Sequence, residues 1–135
     1  MKTKRTRTVA LLVALVLCLG VTAIFPMTAS ARFNTLIGCD NSLTLNSGGR
    51  LGCYGGTEVQ YGYKADVKVE LQQYNGGWRT IKTWTSPISS SYASVYSDWY
   101  VNSGYQYRLQ VTHRALNSSN SVVETFVSYS RTVFY

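Results

Sequence analysis

The sequence contains little of what catalysis and metal binding usually require. Histidine occurs once among 135 residues, as His113, and only six carboxylates are present. A zinc site would have to be completed by carboxylates alone. No G-x-S-x-G motif marks a nucleophilic serine, and no glycine-rich segment continues into Lys-Ser/Thr as a phosphate loop does. We therefore expect no enzyme activity, no metal site and no cofactor.

Basic charge is also scarce outside the N-terminus. Four of the 13 Lys+Arg residues lie in "MKTKRTR", which is followed by an apolar run from Val9 to about Phe25 and by small residues at Ala29 and Ala31. A basic head, an apolar middle and small residues before a cleavage point are typical of a secretory signal peptide. The sequence predicts a signal peptide over residues 1–31.

The expected mature chain, residues 32–135, is a single domain of 104 residues with nine basic and six acidic residues. Its net charge is then +3, and no Lys/Arg cluster suggests a nucleic-acid partner. A mildly basic exported chain suits an anionic surface. We expect it to be secreted, extracellular or attached to the cell wall, and free of the membrane after cleavage.

Only two cysteines, Cys39 and Cys53, remain after the predicted cleavage. In an exported protein an even pair predicts one disulfide. It would close a loop of about fifteen residues, worth about 3 kcal/mol on the chain-entropy account. A reactive thiol is the weaker interpretation, because no redox spacing accompanies either cysteine.

Alternation of apolar and polar residues predicts strands along most of the domain. Asp66–Tyr74 alternates strictly, and "NGG" turns the chain into a return strand over Trp78–Trp84. Trp78 and Ile81 would face opposite sides of a regular strand, so a bulge or an edge position is expected there.

Further strands are predicted over Tyr92–Val101, over Tyr105–Ala115 and over Val122–Tyr135, the last as one long strand or as two with a bend near Ser130. A short hairpin precedes them. Six to eight short strands separated by turns indicate a single antiparallel β-sandwich, immunoglobulin- or fibronectin-III-like.

The stretch "WYVNSGYQYRLQVTHRA" carries the pattern of a tyrosine corner. Tyr107 follows the apolar Val101 by six residues across a turn, and alternating aliphatic residues come after it. In immunoglobulin-like sandwiches such a tyrosine packs at the corner and its hydroxyl bonds the backbone a few residues upstream. We expect a structural role for Tyr107 and for the three tryptophans, Trp78, Trp84 and Trp99.

His113 ends the alternating row that begins at this corner. A histidine can act as a general base, because its pKa lies near neutral pH. The position favours instead a histidine at the rim of the core, bonded to a neighbouring group.

The carboxylates are expected to pair with basic residues rather than to form an acid/base pair. A glycosidase needs two carboxylates that face each other across a cleft. Asp66 and Glu70 lie on the solvent face of a predicted strand, where Arg79 or Lys82 of the return strand can pair with them. Glu124 is expected to pair with Arg108 or Arg114.

Three tyrosines form the best candidate for a binding site. Tyr92, Tyr96 and Tyr100 alternate on the face opposite Trp99. An exposed aromatic row can stack on sugars or contact a protein partner. The alternative is ordinary cross-strand aromatic pairing on a β surface.

The stretches "VELQQYNGGWRTIKTW" and "GYQYRLQVTH", followed by a late strand with a glutamate, resemble an uncharacterised family of small exported proteins of Gram-positive, clostridium-like bacteria. The resemblance covers roughly residues 66–129. The resemblance implies a β-sandwich fold and export from the cell. It implies no activity and no functional site. The matching residues are Leu71, Gly77, Trp78, Trp84, Gly104, Tyr105, Tyr107, Arg108, His113 and Glu124.

These features together predict a secreted, non-enzymatic binding module for cell-wall polymer, glycan or protein. The alternative is a secreted antagonist, such as a bacteriocin-like toxin or an inhibitor, and a small extracellular hydrolase comes third. An open tyrosine surface without a cleft favours the binding module, whereas a broad pocket with two carboxylates favours the enzyme.

Overall fold

The computed structural model describes residues 33–135, and the predicted signal peptide lies outside them. No helix in the described part of the chain is long and apolar enough to cross a membrane. A short 3-10 turn, Ser47–Gly49, connects the first two strands. The strands are β1 (Leu36–Leu45), β2 (Arg50–Val59), β3 (Lys64–Tyr74), β4 (Trp78–Thr85), β5 (Ser89–Ser90), β6 (Tyr92–Tyr100), β7 (Gln106–Leu116), β8 (Val122–Tyr129) and β9 (Val133–Phe134).

The strands form two antiparallel sheets that pack face to face. The small sheet has the order β1-β2-β6, and the large sheet has the order β4-β3-β7-β8, with β5 beside β3 and β9 beside β7. Chain neighbours such as β2 and β3 therefore lie in different sheets, as Greek-key connections require. This arrangement is a β-sandwich of the immunoglobulin/fibronectin-III-like type and confirms the predicted fold class.

The core lies between β2 of the small sheet and the central strands β3 and β7 of the large sheet. The aliphatic residues at every second position of these strands are fully buried. A Cβ added at Gly55 of β2 would lie 2.6 Å from a methyl of Val69 and 2.9 Å from a methyl of Val111. Glycine at this position therefore permits the close approach of the two sheets. The main core cluster contains Leu43, Leu51, Cys53, Val67, Val69, Leu71, Tyr107, Leu109 and Val111.

The bulge predicted in β4 is present. Leu71 pairs with Lys82 and the next residue, Gln72, pairs with Thr80, so Ile81 is the extra residue. The bulge lets Trp78 lie on the outer face while Trp84, six residues later in the same strand, packs against the core.

The predicted bend near Ser130 is also present. The Ser130 hydroxyl accepts a 2.8 Å hydrogen bond from the backbone N–H of Leu109. β8 ends there, and pairing with β7 resumes where Val133 lies opposite Tyr107. The bend lets the end of the chain follow β7 to its beginning.

The tyrosine corner is present as predicted. The buried Tyr107 hydroxyl donates a 2.6 Å hydrogen bond to the carbonyl oxygen of Asn102, five residues upstream. It also accepts a 3.0 Å bond from the Gln73 side-chain amide on the neighbouring strand. The hydroxyl therefore ties the turn before β7 to both central strands.

The predicted disulfide between Cys39 and Cys53 is wrong, and both thiols are free. Cys39 lies opposite Thr57 and Cys53 lies opposite Leu43 in the β1–β2 ladder. This register separates the cysteines by about 13 Å along the strands, whereas a disulfide needs Cα atoms within about 7 Å. Burial raises the pKa of Cys53 to about 12 and that of Cys39 to about 11, so both remain protonated thiols.

We expect the substitution Tyr107→Phe to lower the free energy of unfolding by about 1–3 kcal/mol, because it leaves the Asn102 carbonyl and the Gln73 amide without their partner. Urea unfolding monitored by tryptophan fluorescence measures this loss. Tyr105→Phe is the matched control, because that half-buried ring packs against the same core. A loss below about 0.5 kcal/mol for Tyr107→Phe, within the range of an ordinary surface substitution, would contradict the corner.

We also expect both cysteines to react with iodoacetamide in denaturant without any reductant. The register of β1 and β2 keeps them too far apart to be joined in the folded protein. Mass spectrometry of residues 32–135 counts the added groups. An intact mass that rises by two hydrogens on reduction would refute this separation.

Candidate functional site

The tyrosine row predicted from the sequence lies on the outer face of the small sheet. Tyr92 is 44% exposed, and Tyr96 and Tyr100 are each 70% exposed. Successive members of the row are about 13 Å apart along β6, since each is four residues from the next. The role of these residues in binding stays a prediction, but their side chains are available to a ligand.

Tyr54 of β2 joins this row, although the sequence analysis did not include it. It lies directly opposite Tyr96 in the β2–β6 ladder. Its hydroxyl is 2.6 Å from the Tyr92 hydroxyl, and this hydrogen bond is the main reason that the pKa of Tyr54 rises to about 12. The sequence does contain a signal for this position: Tyr54 lies two residues from Gly52 and two from Gly56, so all three share one face of the strand. We call Tyr54, Tyr92, Tyr96 and Tyr100 the tyrosine face.

Two glycines of β2 make the tyrosine face flat. A Cβ added at Gly56 would lie 2.5 Å from the Tyr54 hydroxyl and 3.0 Å from the Tyr92 hydroxyl. A Cβ at Gly52 would lie 3.3 Å from the Tyr96 hydroxyl. The tyrosine side chains therefore lie across the backbone of these glycines instead of standing away from the sheet. Aromatic side chains that cover strand glycines in this way stabilise a sheet.

Polar groups border the tyrosine face. Asp98 accepts from Arg50 at 3.2 Å and from the Tyr96 hydroxyl at 3.3 Å. Asp40 and Glu58 share this outer face, and within the described residues neither forms an ion pair. The face is thus aromatic and slightly acidic. A shallow depression of about 350 Å³, lined by Asp98, Trp99 and Tyr100, lies at one end of it.

Two of the three tryptophans close one open side of the sandwich. Trp84 and Trp99 meet edge to face with ring centroids 6.3 Å apart, and Lys82 Nζ lies 4.4 Å from the Trp99 ring centroid. Trp78 instead lies on the outer face of the large sheet, where the Arg108 guanidinium stacks on it at 4.2 Å.

His113 is fully buried between the sheets, so its predicted position at the rim is wrong. Its Nδ1 lies 3.0 Å from the Thr57 hydroxyl and its Nε2 lies 2.8 Å from the Ser128 hydroxyl. Ser128 also accepts from the Asn41 amide at 2.8 Å, and the imidazole stacks on Phe126. The predicted bond to neighbouring groups is present and joins the two sheets.

This buried network does not have the arrangement of a catalytic triad. Ser128 and His113 are within the reach of a nucleophile and its base, but the third position is occupied by Thr57 and not by a carboxylate. Burial lowers the pKa of His113, which keeps the imidazole neutral at neutral pH. With no exposed surface, the ring can meet no substrate.

Glu124 does not pair with Arg108 or Arg114, and that expectation is wrong. Its carboxylate accepts hydrogen bonds from the Thr35 hydroxyl and from the backbone N–H groups of three successive residues, Asn34, Thr35 and Leu36, at 3.1, 2.7 and 2.9 Å. These bonds, with that of the Thr35 hydroxyl the largest cause, lower the pKa of Glu124 to about 2. Glu124 therefore holds the beginning of β1 against β8.

The other carboxylates of the large sheet form cross-strand or local pairs. Asp66 accepts two bonds from Arg114 of β7, at 2.7 and 2.5 Å, and Glu70 lies 3.0 Å from Lys68. The expected pairing of these carboxylates with Arg79 or Lys82 is therefore wrong, because Arg114 lies opposite Asp66 on β7 and Lys68 is two residues from Glu70 on the same face of β3. Within residues 33–135, no group of three or more histidine, cysteine, aspartate or glutamate side chains could hold a metal ion.

Comparison with protein-family models finds none that matches the chain, and comparison with curated proteins finds no significant match. The resemblance to a family of small exported proteins therefore stays a prediction.

We expect the domain to lose stability as the pH falls below about 6.5, because the unfolded chain then takes up a proton that the buried His113 does not. Stability is complete above the unfolded pKa and declines toward the lowered folded pKa. Asp40 is the charged group near the ring, and it opposes this shift without cancelling it. Urea unfolding at a series of pH values measures the effect. His113→Gln should flatten the dependence in this range, and an unchanged slope would show that His113 is not its source.

Proposed function

We propose that this protein is a secreted, non-enzymatic module that binds a cell-wall glycan through its tyrosine face. The observation that carries the proposal is the set of four tyrosines that share one flat, open sheet surface. Two glycines hold this surface flat, and a hydroxyl–hydroxyl bond connects Tyr54 with Tyr92. The signal-peptide pattern over residues 1–31 supports export.

A glycan chain suits this surface in shape and in chemistry. Aromatic rings offer apolar area to the C–H faces of sugar rings, and phenol hydroxyls donate to and accept from sugar hydroxyls. Tyr92 and Tyr100 lie at opposite ends of β6, so the face accommodates an extended polymer better than a small molecule. Because the rings are already supported by the sheet, little side-chain freedom is lost on binding.

A protein partner is the second candidate, because tyrosine is enriched in protein interfaces. A secreted antagonist would use the face in this way. The two candidates differ in what the isolated domain retains: a glycan-binding module binds purified, protein-free cell walls, whereas an antagonist binds only a protein target.

We expect the triple substitution of Tyr92, Tyr96 and Tyr100 by serine to weaken binding to purified cell walls by about tenfold or more, since interface aromatics concentrate binding energy. Pull-down with insoluble walls and a glycan panel measure this loss. Replacing the same three residues by phenylalanine keeps the rings and should retain most of the binding.

The control variant is Tyr61→Ser, which removes a fully exposed tyrosine in the turn between β2 and β3. It should bind like the wild type. Thermal unfolding of every variant checks the fold, because surface substitutions cost about 0.5 kcal/mol or less each. The proposal fails if the serine variant binds walls as well as the wild type, or if it unfolds.

A further inference from the structure

A second aromatic surface crosses the outer face of the large sheet, on the opposite side of the domain. The Arg108 guanidinium lies between two rings, 4.2 Å from the Trp78 centroid and 4.4 Å from the Tyr129 centroid. Tyr74 meets Trp78 edge to face at 5.3 Å. Tyr129 is 51% exposed. We call Tyr74, Trp78, Arg108 and Tyr129 the arginine face.

Side-chain amides hold the arginine face in place. Arg108 Nε donates to Gln72 at 2.9 Å, and Gln72 donates to Gln110 at 3.2 Å. Gln110 also accepts from the Tyr129 hydroxyl at 3.2 Å. Within the described residues, the two terminal nitrogens of Arg108 have no acceptor. The guanidinium is thus fixed in position by its neighbours while most of its N–H groups remain available.

The two outer faces of the sandwich differ in charge. On the outer face of β3 and β7, Asp66 and Glu70 are paired with Arg114 and Lys68, which leaves Arg108 and Lys64 as cations without a carboxylate partner among the described residues. Lys64 donates only to the neutral oxygens of Ser118 and Asn120. The arginine face therefore lies on a cationic surface, whereas the tyrosine face is slightly acidic.

We propose that the arginine face binds an acidic polysaccharide, and that it does so independently of the tyrosine face. A guanidinium with free N–H groups pairs with carboxylates through two parallel hydrogen bonds. The neighbouring rings offer apolar area to the sugar units that carry these carboxylates. The module then has two separate glycan sites on opposite sides.

The surroundings of the arginine face favour a polysaccharide over a protein. Protein interfaces have an apolar centre that is poor in charge. Here polar groups surround the rings: Gln110 and three exposed threonines of β4, namely Thr80, Thr83 and Thr85. Such groups match the hydroxyls of sugars. A polyanion without sugar rings would leave the apolar part of the face unused.

The test uses residues 32–135 and an oligogalacturonate, with a cello-oligosaccharide of the same length as the neutral probe. Isothermal titration calorimetry should show tighter binding of the oligogalacturonate, weakened by added salt because exposed charges are screened. Arg108→Gln should weaken it by about tenfold. Arg131→Gln removes the same charge from the bend after β8 and should change little.

Two further variants keep the outcome decisive. Glu70→Gln removes a carboxylate from the same face and should tighten binding of the oligogalacturonate, so the proposal stays testable if Arg108→Gln does not fold. The triple serine variant of the tyrosine face should bind the oligogalacturonate like the wild type, which separates this site from the proposed function.

Several results would overturn the proposal. They are equal binding of the acidic and neutral probes, equal binding by Arg108→Gln and the wild type, or weaker binding after Glu70→Gln. Polyglutamate that binds as tightly as the oligogalacturonate would assign the face to an acidic polypeptide. Inorganic polyphosphate that binds as tightly would show that charge alone is recognised.

Discussion

The rest of the structure depends on the burial of one face of the β3–β7 pair against β2. β3 and β7 are paired along their whole lengths, and every second residue of both strands points into the core. Because side chains alternate along a strand, burial of this face determines which residues of β3 and β7 reach the opposite surface. The ion pairs, the amide network and the stacked Arg108 all follow from that register. Gly55 makes the contact possible, since any side chain there would separate the sheets.

Polar contacts, and not a disulfide, hold the edges of the sandwich. The Tyr107 hydroxyl ties the turn before β7 to the core, and Glu124 holds the first residues of β1. His113 connects the two sheets through Thr57 and Ser128. Among the described residues no buried side-chain nitrogen or oxygen lacks a partner. Buried polar groups with full sets of partners select one arrangement of the sheets, because any shift would leave some of them unbonded.

The same alternation that builds the core distributes aromatic and charged residues onto two different surfaces. On β6 and β2 the outward positions hold tyrosines and glycines, which produce a flat aromatic face. On β3 and β7 the outward positions hold charges and amides, among which Arg108 lies between two rings. The modest positive charge of the expected mature chain is therefore concentrated on the large sheet. A domain of this kind can present two surfaces with different chemistry without a cleft.

The sequence by itself determined the fold class, the main strands, the bulge in β4, the bend at Ser130 and the tyrosine corner, because each depends on local alternation or on a short spacing. It also determined that Tyr92, Tyr96 and Tyr100 share a face. Only the tertiary structure decided what depends on pairing between distant strands. The β1–β2 register separates Cys39 from Cys53, and packing of the two sheets buries His113. Glu124 meets the start of β1, and Tyr54 meets Tyr92, because residues far apart in the chain become neighbours across strands. A single sequence carries no signal for such register, since many pairings preserve the same alternation.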